Sequence, residues 1–204
     1  MSPRKAEILR HSDDERSLRD HLIATTERMI SVQGTAGLTV RAIAREAGVA
    51  DGVLYNHFTD KEELLAHALR AHVRTVEQGL GELPEPGAGA VEANLRAYLT
   101  YGLAMHRAIL PAFAGLLAQP AVLVRFTELV EPTADWRDRL REYLHAERDL
   151  GRLAADAELE SAAAMLVGVC HEFVLSTLFQ HNAPETTPPA VESIITAVLN
   201  GIAR

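Results

Sequence analysis

The sequence predicts an all-α fold, and three observations carry the prediction. Apolar residues recur at three- and four-residue spacing along most of the chain, the period of one helix face. The sequence contains no strand-like alternation, internal repeat or low-complexity tract. Near the N-terminus two short apolar-periodic segments flank Gly48, and a third begins at once behind them, which is how a helix-turn-helix reads.

The elements follow in order. An amphipathic first helix ends at Gly34. Thr39 is a good N-cap for the second helix, its hydroxyl able to accept from an orphan amide one turn on. Val40, Ile43, Ala44 and Ala47 then form one buried stripe. Gly48 suits the left-handed residue that stops the helix, and Val49 plugs the corner. From about residue 51 to 58 the spacing predicts a recognition helix, with Leu54, Tyr55 and Phe58 packing inward. Eight residues at a 1.5 Å rise span roughly 12 Å, about the width of a DNA major groove. Gly52 is costly for helix propensity. It reads either as a loose helix start or as a place of close approach to a phosphate.

A long helix is expected over 60–80, where Glu63, three residues after Asp60, resembles a capping box. Gly81 and the run Pro84-Glu85-Pro86-Gly87 break it. A helix over 88–109 follows, then short helical material over 111–118. A helical pattern over 120–150 breaks near Pro132 and stops at Gly151. Two last helices, near 156–181 and 189–203, are joined by the turn-rich stretch 183–188.

Composition narrows the function. The chain carries 20 basic and 28 acidic residues, a net of −8. Residues 1–75 hold 11 of each sign, so the excess acidity lies entirely in the remainder. The N-terminal region is neutral, without the basic footprint of a strong nonspecific DNA binder. Any positive surface must come from placement: Arg4, Lys5 and Arg10 in a leading arm, with Arg41 and Lys61. Cys170, the single cysteine, excludes an intrachain disulfide and reads as core. The first fifteen residues lack a signal-peptide core, and no apolar run approaches the ~18 residues that span a bilayer. A cytoplasmic protein without a membrane partner is expected. His67 with His72, and His145 with Glu147, lie at separations that share no helix face. With no nucleophile elbow, phosphate loop or HExxH pattern, neither an enzyme nor a cofactor or metal is expected.

The N-terminal region closely resembles the tetracycline-repressor (TetR) family of bacterial transcriptional regulators. The matching residues are Gly34, Thr39-Val40-Arg41-Ala42-Ile43-Ala44, Ala47-Gly48-Val49, Gly52, Leu54-Tyr55, His57-Phe58 and Lys61-Glu62-Glu63-Leu64. Ile30, Ala50, Asp51 and Val53 depart from the family pattern. The resemblance implies an all-α homodimer, with a DNA-binding domain over 16–76 and an effector-binding and dimerisation domain over 77–204. Carried over residue by residue, it implies DNA contacts from Thr39, Arg41, Tyr55, His57 and Lys61. Gly52, Val53 and Asn56 complete the outward edge, and Asn56 is the candidate base reader because Asn can pair bidentate with adenine. Tyr55 also reads as a core aromatic, His57 as structural and Asn56 as merely solvated.

The penultimate helix is apolar almost all round. Leu159, Ala162, Ala163, Leu166, Val169, Cys170 and Phe173 form one stripe, with Ala164, Met165, Val167 and Gly168 opposite. Burial on more than one face points to a subunit contact through the last two helices. The candidates to line an effector pocket are Tyr98, Tyr101, Met105, His106, Phe113, Phe126, Trp136, Tyr143, His171 and Phe173. They favour a small, mainly apolar or aromatic effector. The expected activity is that of a repressor on a palindromic double-stranded DNA operator, released by that effector. The alternatives are a constitutive DNA-binding protein without an effector and a helical protein-binding adaptor.

Overall fold

The computed structural model describes residues 15–129, 135–179 and 190–202, and every regular element among them is helical. The helices are α1 (Glu15–Gln33), α2 (Val40–Ala47), α3 (Lys61–Leu80), α4 (Val91–Phe113), α5 (Pro120–Glu128), α6 (Trp136–Asp149), α7 (Leu159–Phe179) and α8 (Val191–Ile202). Two 3₁₀ segments, Asp51–Asn56 and Ala114–Ala118, interrupt them. The all-α expectation holds, with ends shifted by a few residues. The largest shift is in α4, which runs through Pro111 to Phe113. Proline withholds an N–H from the ladder, and the chain tightens into a 3₁₀ turn three residues beyond it. The leading-arm residues Arg4, Lys5 and Arg10, the break near Pro132 and the turn over 183–188 lie outside the described residues.

The chain forms two compact units. The first takes described residues 15–78 and 109–129; the second takes 79–108, 135–179 and 190–202. The segment 16–76 lies wholly within the first. Its core collects Leu22 and Ile30 of α1, Ile43, Ala44 and Ala47 of α2, Leu54, Phe58, and Leu64, Leu65 and Leu69 of α3. Ala112, Leu116 and Val122 join the same core.

In the second unit, Leu95 and Leu99 of α4, Leu140 and Leu144 of α6, Leu166 and Cys170 of α7 and Ile195 of α8 are fully buried. Trp136 lies against the backbone at Gly102, where any Cβ would collide with the indole ring. The coil between α3 and α4 is fixed by polar contacts. The Gly87 N–H donates to buried Glu147 at 3.1 Å, Arg152 donates to the Gly89 carbonyl at 2.6 Å, and Asn94 donates to the Ala88 carbonyl at 2.6 Å.

One sequence expectation is corrected by α7. Residues Leu159–Thr177 are long and apolar enough, by length and composition, to cross a membrane, where none was expected. Its Leu, Val, Phe and Met residues, with the alanines, keep its mean hydropathy high although Glu160, His171 and Glu172 interrupt the apolar run. One side of it is buried through Leu159, Ala162, Ala163, Leu166, Cys170 and Phe173, Val169 is half-buried, and Glu160 and Glu172 face outward.

Candidate nucleic-acid interface

The corner of the first unit is built by local chemistry. Thr39 has extended backbone, and its Oγ1 accepts the Ala42 N–H at 3.1 Å, starting α2. Gly48, at φ 71°, turns left-handed and sends its N–H back to α2, while the Val49 N–H donates to the Ala44 carbonyl at 2.9 Å. His21 of α1 reaches the Ala47 carbonyl at 3.2 Å, tying α1 beneath the corner.

The recognition segment differs from the predicted α-helix. It is a six-residue 3₁₀ helix, with Val53 N–H donating to Ala50 and His57 N–H to Leu54, at 2.9 and 3.0 Å. Ala50 has no oxygen with which to cap it, and Gly52 disfavours the α form, so the shorter-range bonds win. At a rise of ~2.0 Å per residue, six residues still span ~12 Å. The change of period also corrects Tyr55. At three residues per turn it stands a third of a turn from buried Leu54, and it is 59% exposed instead of packing inward. Gly52 and Asn56 share the exposed edge, while Val53 and His57 are half-buried.

Behind that edge, Asp60 opens α3 by accepting the Glu63 N–H at 2.9 Å, and Glu63 in return accepts the Thr59 N–H at 2.7 Å. This is the expected capping box, displaced by one residue on the return bond. Lys61 donates to the Leu38 carbonyl at 3.4 Å and lies 3.9 Å from Glu62, so the start of α3 is tied to the turn before α2. Arg41 is exposed on α2.

A brace not legible in the sequence completes the site. The Arg19 guanidinium lies 4.8 Å over the Phe58 ring, donates to His67 Nε2 at 2.8 Å and stands 3.7 Å from Glu63. That bond needs an unprotonated Nε2 on His67. Burial pushes the His67 imidazole down, Arg19 adds to the fall, and Glu63 opposes it. For Glu63 burial acts upward, but the Thr59 hydrogen bonds, His67 and Arg19 outweigh it and hold the carboxyl below its usual range. Arg19 and His67 are 48 residues apart, and only the i,i+4 pair Glu63–His67 could have signalled them.

The ten effector candidates do not gather at one place. Phe113 and Phe126 belong to the first unit, paired edge to face at 5.0 Å against its core. The other eight lie in the second. Tyr98 and Tyr143 pair at 4.7 Å on a cleft of about 340 Å³, and Tyr101 lines another of about 430 Å³. His106 stands edge-on to Trp136 at 5.4 Å and to His171 at 4.8 Å. Met105 is buried, and Arg107 lies 5.3 Å over the Phe173 ring. His106 is buried and its Nδ1 meets the Gly102 carbonyl at 2.7 Å, whereas His171 is exposed. Burial pushes the Cys170 thiol up to about 12, leaving it inert.

A capped helix, a left-handed corner and a short outward edge anchored from behind define a helix-turn-helix protein of the DNA-binding class. Residues 22–68 match the family described as bacterial regulatory proteins, tetR family, and this N-terminal region belongs to it. It is 31% identical over 84 residues to the HTH-type transcriptional repressor NemR of Escherichia coli K12, covering 41% of this chain and 42% of NemR. The chain thus spans about two fifths of the length of the first curated relatives it matches. Against the HTH-type transcriptional repressor KstR2 of Rhodococcus jostii RHA1 it is 26% identical over 188 residues, 91% of each chain. The solved structure of the flavonoid-responsive regulator FrrA superposes with a TM-score of 0.62 at 28% identity, over 91% of this chain and 94% of FrrA. These relatives are regulators of transcription and not enzymes.

Proposed function

We propose that this chain is a ligand-responsive repressor that binds a palindromic operator on double-stranded DNA as a homodimer in the cytoplasm. Residues 16–76 form its DNA-binding domain, and 77–204 bind the effector and the second subunit. The observation that carries the reading is the exposed edge of Gly52, Tyr55 and Asn56, which projects from a segment anchored inward by Leu54 and Phe58. Exposed aromatic and amide side chains on an anchored helix can read base edges, while Thr39, Arg41, His57 and Lys61 address phosphates and set register. NemR and KstR2, both transcriptional repressors by name, support the same reading.

Support for the dimer comes from α7. Ala164, Met165, Gly168 and Leu175 lie exposed opposite its buried stripe, with Met165 52% accessible. An apolar helix side of this kind is stabilised by covering it with a mate, and a twofold mate would set two recognition segments ~34–36 Å apart. The mainly apolar or aromatic effector is supported by the candidate side chains and by the flavonoid response for which FrrA is named. Effector binding favours a head spacing that does not fit DNA, a population shift. The coupling runs along α3, which starts at Lys61 and whose last residue, Leu80, lines the larger cleft. Reciprocity then requires operator to weaken effector binding by the same factor. A gel shift on the DNA flanking the protein's own coding region tests the reading. A discrete, competitor-resistant complex is expected; its absence at every salt concentration contradicts operator binding.

A further inference from the structure

We infer that the smaller cleft of the second unit binds a small zwitterion, a molecule carrying a carboxylate and a cationic nitrogen, such as a free amino acid or a betaine. The inference needs neither an operator nor an apolar effector, because it concerns what this cleft holds on the chain alone.

The cleft is walled by the loop Leu83, Pro84, Glu85 and Pro86, by Tyr98 of α4, and by Arg139, Glu142, Tyr143 and Ala146 of α6. The four α6 residues stand at i, i+3, i+4 and i+7, so they form one helix face. That face carries a buried phenol from Tyr143, a half-buried guanidinium from Arg139 and, at its exposed rim, the Glu142 carboxylate. Several other charges on and after α6 are matched: Arg141 with Glu160, Arg148 with Asp149, Arg152 with Glu147. Arg139, Glu85 and Glu142 form no ion pair among the described residues, yet all three act on one atom group, the Tyr98 phenol. Burial pushes that phenol up, Arg139 pulls it down, and Glu85 and Glu142 add to the rise.

The rim is held in advance of any ligand. Pro84 and Pro86 restrict the loop, and its far end is stitched by Glu147, Asn94 and Arg152. Glu147 is fully buried, and a buried carboxylate is costly unless its geometry serves something. Here it fixes the loop that faces Tyr98 of α4 and the charged face of α6 across the cleft. Preorganised walls of this kind are what a binding site requires.

The lining chooses the ligand. A guanidinium receives a carboxylate in a fork, whereas two glutamates beside paired tyrosines receive an ammonium or trimethylammonium. A bare cation would meet Arg139 unscreened, and a bare anion would meet two glutamates. A zwitterion satisfies both signs, and about 340 Å³ lies at the small end of ligand sites.

Titration calorimetry on the full chain without DNA tests this, with L-phenylalanine and glycine betaine as zwitterionic probes and choline and propionate as single-charge controls. At least one zwitterion is expected to bind tenfold or more tighter than both controls. Arg139→Gln is expected to weaken it at least tenfold, with unchanged thermal unfolding, and Glu142→Gln to weaken it in the same direction. The proposal is overturned if neither zwitterion binds, if either control binds equally well, or if both variants bind like the parent. Because no operator enters the assay, its failure leaves the regulator reading untouched.

Discussion

The corner of the first unit and the loop of the second are both places where the chain changes direction, but they are held in different ways. At the corner, Thr39 caps three residues on, Gly48 turns left-handed, and Asp60 and Glu63 cap each other. Each bond spans three or four residues and leaves its groups near solvent. At the loop, the backbone of Gly87 is held by Glu147, 60 residues away, and that of Gly89 by Arg152, 63 residues away. The first design distributes small local terms around an apolar core. The second concentrates its hold in one buried charge.

That difference is open to test, starting with the largest expected effect. Glu147→Ala leaves the Gly87 N–H without its acceptor and Arg152 without its partner, and is expected to cost about 3 kcal/mol by urea unfolding. A cost below about 1 kcal/mol would show that the loop is not concentrated on this group. Gly102→Ala drives a methyl into the Trp136 ring and should cost about 2 kcal/mol, with a changed tryptophan emission spectrum. In the corner, Asp60→Ala removes the Glu63 cap and the Arg125 pair, and only about 1 kcal/mol should be lost. If Asp60→Ala proves as costly as Glu147→Ala, the contrast between the two regions fails.

A pH series probes both at once. His67 in the first unit and His106 in the second are each held, chiefly by burial, below the usual imidazole value of about 6.5. The folded protein therefore binds fewer protons than the unfolded chain. Stability should be complete above about pH 6.5 and decline as pH falls through the lowered values, and His67→Gln and His106→Gln should each flatten that decline. Tyr55→Ala should have the smallest effect on stability, within about 0.5 kcal/mol, because the ring is exposed. Its operator affinity should nevertheless fall at least about tenfold, separating recognition from folding.

The same contrast explains what was legible in the sequence. The helix periodicity, the Thr39 cap, the Gly48 turn and the Asp60–Glu63 box are written within a few residues of one another, so spacing alone found them. The Arg19–Phe58–His67 brace and the Glu147–Arg152 stitch join distant residues, and no local spacing encodes them. Tyr55, expected inward at a period of 3.6, faces outward where the uncapped, glycine-weakened segment closes at 3.0. The effector candidates are aromatic and polar side chains on apolar segments. That criterion cannot tell the Phe113–Phe126 pair of one unit from the Tyr98–Tyr143 pair of the other. Charge placement escaped for a related reason: Arg139, Glu85 and Glu142 are ordinary surface residues until the fold sets them around one cleft.

Hydroxyl-radical footprinting of the full-length protein on a site selected from random duplex tests the central claim most directly. Two symmetric protections centred about one helical turn apart, both lost in Tyr55→Ala with Asn56→Ala, are what the exposed edge predicts. A single asymmetric protection, or a pattern that survives loss of both side chains, contradicts it.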